Sequence, residues 1–238
     1  MQSTLGEFQE TQAQEAFALQ NSKLLKVSLN QITIQSKLGA MVAYQGDVKF
    51  EHASSGMGRL IKKAVTGESV SLMKMAGSGE VFLAVQAQDV HLLRIDNDTL
   101  HVNGNNILAF DAGIDWDIKK VEGASGMLAG GLFNVSLTGT GQIAVITDGP
   151  PVLLRTGGAP TFCDPQAAVV WSSGVKTKVK TDVNFKTLTG RGSGESVQLG
   201  MEGDGWVLVQ PSEGRIEAAI SGNDKGGGIG GLLQGFGS

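Results

Sequence analysis

The chain has 238 residues, 41% hydrophobic and 18% charged, which is enough material of ordinary composition to bury a substantial core. Its formal charge of -4 and isoelectric point near 5.4 exclude long-range attraction to nucleic acid or to an anionic membrane surface. Cys163 is the only cysteine, which excludes an intrachain disulfide and a cysteine-rich zinc site and fits a reducing compartment.

The glycine content is unusual, with 35 glycines and no collagen-like period, and it reads as many tight turns. Residues 1–22 are rich in Gln and Glu, with Leu5, Phe8, Phe17 and Leu19 as sparse apolar positions, and read as an arm with a first strand near Phe17. The start has neither a basic segment nor an apolar run, and no window approaches the roughly 18 apolar residues of a spanning helix, so the expected compartment is the cytoplasm. Leu25, Val27 and Leu29 alternate with polar residues, and the phase flips after Asn30 to Ile32 and Ile34, which marks a turn or bulge between two strands.

An apolar run ending in an aromatic follows, Lys37-Leu-Gly-Ala-Met-Val-Ala-Tyr44-Gln-Gly46, and related runs end at Phe110 and Trp171. A second marker is Gly-x-Gly followed by a β-branched or aromatic-aliphatic strand, at Gly77 and Gly79, Gly139 and Gly141, and Gly203 and Gly205. The aromatic ends are spaced by 66 and 61 residues and the first glycines by 62 and 64, so both markers report one period. The expected organisation is therefore an arm (1–22), three β modules (23–90, 91–151 and 152–220) and a Gly-rich flexible tail (221–238).

Between the markers, Gly56–Ala64 reads as a short helix, and Gly123–Gly131 and Thr187–Gly194 as variable surface loops. Gly67-Glu-Ser-Val70 recurs as Gly194-Glu-Ser-Val197. From Val175 to Phe185 Val and Thr alternate with Lys176, Lys178 and Lys180, the pattern of a half-buried strand. Asn103-Gly104, Asp148-Gly149-Pro150-Pro151 and Gly157-Gly158 punctuate such runs as turns. The fold class is all-β, built from sandwich- or barrel-like modules. The strands after Gly-x-Gly are apolar on both faces, which assigns Phe82, Trp206 and Leu208 to an interface with a neighbouring module or subunit and predicts a closed homo-oligomer.

The chemical inventory is thin. Gly77-Ser-Gly79 lacks the third glycine and the following helix of a phosphate-binding loop, so the glycines read as structural turns. His52, His91 and His101 lack metal-ligand spacing, and Asp96-Asn-Asp98 and Asp115-Trp-Asp117 read as hairpin residues rather than a calcium loop. Cys163 reads as a core side chain, and the lysine stripe as a solvated strand face guarding against edge pairing. No catalytic residue, metal site or cofactor is assigned, and an enzyme would require a cluster assembled from Asp96, Asp98, His101 and Asp115. In the tail, Ile229, Leu232, Leu233 and Phe236 offer the one peripheral contact for a partner's groove or a bilayer.

Gly39-Ala-Met-Val-Ala-Tyr44, Gly67-Glu-Ser69 with Gly77-Ser-Gly79, Ile107-Leu-Ala109 with Asp115-Trp116, Gly131-Leu-Phe133 with Gly139-Thr-Gly141, and Gly194-Glu-Ser196 together resemble the family of altered inheritance of mitochondria protein 24. The resemblance implies β-sandwich modules of shortened double-stranded β-helix type, similar to the trp RNA-binding attenuation protein, in a compact pseudo-threefold arrangement and a trimeric assembly. It implies an association with the mitochondrial inner membrane for the eukaryotic relatives, no settled activity for the bacterial ones, and no catalytic residues. Lys37-Leu38 and the run Ala168–Trp171 depart from the family pattern. Two functions follow as expectations: a non-enzymatic scaffold acting as a homo-oligomer with an unknown protein partner, or a binding module for nucleic acid or a small ligand between modules.

Overall fold

The structure, a computed structural model, describes residues 4–52, 71–120, 133–181 and 197–212. The expected helix at 56–64, the loops at 123–131 and 187–194, residues 67–70 and the Gly-rich tail lie outside the described residues. After a 3-10 turn at Thr4–Phe8 come β1 (Phe17–Asn21), β2 (Leu24–Ser28), β3 (Thr33–Lys37), β4 (Met41–His52), β5 (Leu72–Leu83) and β6 (Asp89–Asn103). A 3-10 turn at Gly104–Asn106, capped by the Asn103 side chain accepting from Asn105 N, leads to β7 (Ile107–Asp111), β8 (Asp115–Lys120) and β9 (Phe133–Thr147). The remaining strands are β10 (Val152–Thr156), β11 (Thr161–Cys163), β12 (Ala168–Ser172), β13 (Lys176–Thr181), β14 (Val197–Glu202) and β15 (Gly205–Val209).

Every strand pairing among the described residues is antiparallel, and the sheets are open rather than closed into barrels. One sheet has twelve strands, and β11, β14 and β13 form a separate sheet of three. The alternation in β13 has the expected cause: Lys176, Lys178 and Lys180 are exposed while Val175 is buried and Val179 is partly buried.

The Gly-x-Gly pairs sit in the middle of β5, in the middle of β9, and at the break between β14 and β15. There the long strand exchanges neighbours. Beyond the glycines Val81 lies opposite Val27 and Tyr44, Ile143 opposite Leu93 and Phe110, and Val207 opposite Leu154 and Trp171. Before them Met75 lies opposite Ile34 and Phe50, Leu137 opposite Leu100 and Trp116, and Met201 opposite Thr161 and Thr177. A register shift also falls at one corresponding place in β4, β7 and β12, between Met41 and Ala43, Ile107 and Ala109, and Ala168 and Val170.

Two further pairings knit these groups together. Ser36, Gln35 and Ile34 of β3 lie opposite Ala109, Phe110 and Asp111 of β7. Val102, His101 and Leu100 of β6 lie opposite Val170, Trp171 and Ser172 of β12. The cores cross the same seams. Leu108, Ala109, Ala144 and Ile146 join the cluster around Phe17, Leu25 and Val81. Val169, Val170, Trp206 and Leu208 join the cluster around Phe110, Trp116 and Ile143. The last cluster, around Trp171, Leu199 and Val207, is the smallest.

Two expectations are corrected. Asp96-Asn97-Asp98 is no hairpin but a bulge within the continuous β6, with Asn97 at φ 49 and the shift facing Gly139 and Gly141. Asp115-Trp116-Asp117 is likewise strand, because Trp116 is needed in the core.

At Gly77 and Gly79 the backbone has φ 126 and 154, and a Cβ would collide with the carbonyl oxygens of Asp47 and Gln45. Gly139 has φ 134 but open space, its nearest neighbour lying 3.8 Å away. Gly139→Ala should therefore cost only the conformational term, about 1–3 kcal/mol, seen as a lower urea midpoint. Gly79→Val should give no cooperative unfolding transition at all, and a normal midpoint for that variant would overturn the crowding account.

Candidate functional site

The seam between strand groups is the feature whose side chains are most specific. At the first seam Gln35 is buried and its Oε1 accepts from Trp116 Nε1 at 3.1 Å. At the second, the His101 ring lies 6.1 Å from that of Trp171, tilted by 33°. By register, Gln35 of β3 lies opposite Phe110 of β7 and His101 of β6 lies opposite Trp171 of β12. Counting by the registers above, the corresponding positions that remain are Phe162 on β11 and Tyr44 on β4.

Among the described residues those two have no such partner across a seam. Phe162 is 40% and Tyr44 48% exposed, while Phe110 and Trp171 are at 0% and 3%. Val42 is 58% exposed, whereas Leu108 and Val169 at the corresponding bulges are at 0%. Among the described residues β4 pairs only with β5, and β11 only with β14. Tyr44 rests edge-on against Phe50 with centroids 5.1 Å apart. Beside Phe162, Gly157–Pro160, Lys180 and Met201 border a groove of about 470 Å³, and Lys180 Nζ sits 4.1 Å over the Phe162 ring.

Cys163 completes the β11 edge. Its thiol is half-buried and donates to Leu199 O at 3.9 Å. Burial, with help from Asp164, pushes it up to about 12, so it stays protonated near neutrality and serves as a small packing group, not a nucleophile. The arm is tied down by Lys26, whose Nζ meets Glu80 at 2.8 Å, Glu10 at 3.5 Å and the Thr11 carbonyl at 2.9 Å. Burial alone pushes this amine down, but the two carboxylates outweigh it and hold it above its ordinary value.

The polar candidates are spread along β6 and β8. Asp96 Oδ1 accepts from Thr140 Oγ1 at 3.3 Å, and Asp98 Oδ1 accepts from Thr99 N at 2.6 Å and Ser173 Oγ at 3.3 Å. Asp115 stands across Thr138 from Thr99, and His101 stands one row further on, across Ser136 from Asp117. Asp96, Asp98 and Asp115 are exposed. His91 Nε2 meets Thr147 Oγ1 at 2.8 Å, and the His52 side chain lies outside the described residues. Among the described residues no group of three or more His, Cys, Asp or Glu side chains is placed to hold a metal ion, and no helix is long and apolar enough to cross a membrane. Strand follows Gly77-Ser-Gly79, so no helix N-terminus stands there for a phosphate.

Phe82 is partly buried on β5 and lies opposite Lys26 and Ala43, and Trp206 and Leu208 pack on the middle cluster. Sequence reading missed Val42, Tyr44 and Phe162 as surface residues, because an apolar run carries no mark of whether a neighbour covers it.

The family model described as mitochondrial biogenesis AIM24 matches residues 17–212. Comparison with curated proteins returns no match. A crystal structure of a protein from Streptococcus pyogenes superposes with a TM-score of 0.66 at 20% identity, covering 82% of this chain and 91% of that one, and shows the same fold. The chain belongs to the AIM24 family.

Burial holds His101 below the ordinary imidazole value, with Lys119 adding to the effect, and His91 is lowered by burial too. A depressed folded-state pKa means that the stabilisation is complete above the unfolded value of 6.5 and is lost as pH falls through the folded value. Thermal melting should thus be flat in pH above about 6.5 and decline below it. His101→Gln, which copies Gln35 at the other seam, should flatten that decline; overlapping pH profiles would show that His101 is not held neutral by the fold.

Proposed function

We propose, taking membership of the AIM24 family as premise, that this chain is a non-enzymatic scaffold acting in the cytoplasm as a homo-oligomer, with a trimer as the favoured state. In this reading each chain is three repeats of one β module, and the product of the protein is the surface that its assembly presents to a protein partner. The observation that carries it is the pair of exposed apolar strand edges, at Val42–Tyr44 and at Phe162, in positions that are covered at both internal seams. Exposed apolar side chains grouped on open strand edges mark a place of association.

The second reading, a binding module, is favoured by the groove beside Phe162, where a cation stands over an aromatic ring. It takes a small anionic or aromatic ligand there rather than nucleic acid, given the net charge of -4. Native mass spectrometry and sedimentation of the purified protein, with and without extract, separate the two. The scaffold reading expects a discrete oligomer at micromolar concentration that retains a protein partner. Monomer alone at that concentration overturns it, and a retained small molecule supports the second reading instead.

A further inference from the structure

The registers at the two internal seams define a rule. The second strand of one group pairs antiparallel with the strand carrying the aromatic of the next, over three residue pairs each time. Ser36–Ala109 corresponds to Val102–Val170, Gln35–Phe110 to His101–Trp171, and Ile34–Asp111 to Leu100–Ser172. Continued by the same spacing, the rule asks β11 to pair with β4, bringing Cys163 opposite Ala43, Phe162 opposite Tyr44 and Thr161 opposite Gln45. Among the described residues of one chain this pairing is not made: β11 pairs with β14 and β4 with β5.

The cores obey the same rule. Leu108, Ala109 and Ala144 complete the first cluster, and Val169, Val170 and Leu208 complete the middle one. The corresponding side chains for the last cluster are Val42, Ala43 and Phe82, and they belong to the far end of the chain. Val42 is 58% exposed, and the last cluster, which lacks such a contribution, is the smallest of the three.

We propose that the β4 edge of one copy pairs with the β11 edge of the next in this register, with Val42 and Phe82 closing the last core of the neighbour, so that copies join head to tail. This rests on the homo-oligomer reading and names its interface. The occupant of both edges is a second copy because the missing strand and missing core residues for each edge are present on the other. Such a contact is heterologous, one donor edge and one acceptor edge, and it closes into a ring when the rotation per copy permits. A partner's isolated strand would satisfy the hydrogen bonds of one edge but not supply the side chains of the last core.

A complementation experiment tests this. Val42→Glu spoils only the acceptor edge and Phe162→Glu only the donor edge, so each variant alone should dissociate with affinity weakened roughly thirtyfold or more. Mixed in equal amounts they should form a defined heterodimer, since each still has one intact edge. Oligomers of wild-type size in either single variant, or no heterodimer from folded variants, overturn the proposal while leaving the homo-oligomer reading intact. A monomeric wild type overturns both. As a second measurement that needs no charged variant, Gln45→Cys with Thr161→Cys in a Cys163→Ser chain should form disulfides between chains on mild oxidation. Only intrachain disulfide, or none, counts against it.

Discussion

The fold depends on one close approach. At the middle of β5 the chain passes so near the carbonyl oxygens of Gln45 and Asp47 that only glycine fits at Gly79 and Gly77. Along that strand β4 stays paired on one edge throughout, while on the other edge β3 before the glycines gives way to β2 after them. β9 solves the same task with Gly139 and Gly141, although there the constraint at Gly139 is the positive φ alone and the crowding falls on Gly141 against Asp111. In the last group the strand breaks outright at Gly203, where a Cβ would meet the Gly174 carbonyl.

Because β7 pairs with β3 and β12 with β6, the core clusters draw on side chains from both sides of each seam. Leu108 and Ile146 fill the first cluster from outside it, and Trp206 and Leu208 reach into the middle one. The hydrophobic burial that stabilises the chain is therefore shared across the seams, and a small group of five or six strands need not be stable alone. The same sharing accounts for the two-sided apolar strand at Trp206 and Leu208, whose side chains pack on the middle cluster.

Much of this was legible beforehand. Spacing between Tyr44, Phe110 and Trp171, set against that of the Gly-x-Gly pairs, located the strands that turn out to lie side by side, since Val81, Ile143 and Val207 stand opposite those aromatics. Alternation found β13. Other features were hidden for physical reasons. Asp96-Asn97-Asp98 has turn composition, yet the bulge opposite Gly139 uses the same left-handed tolerance of Asn that a hairpin would. Asp115-Trp116-Asp117 looks polar in a short window, and only the register with Leu137 shows that Trp116 points into the core. The edges at Val42 and Phe162 were invisible because local sequence reports how apolar a strand is and not what lies beside it.

The crossing of Leu108 and Ile146 into the first cluster has a consequence for synthesis. As the chain leaves the ribosome, residues 17–83 cannot finish their core until residue 146 has emerged. Through that interval Leu25, Val27, Val81 and Leu83 present an incomplete apolar surface in a nascent chain. The N-terminal third must wait for the middle third to complete its core.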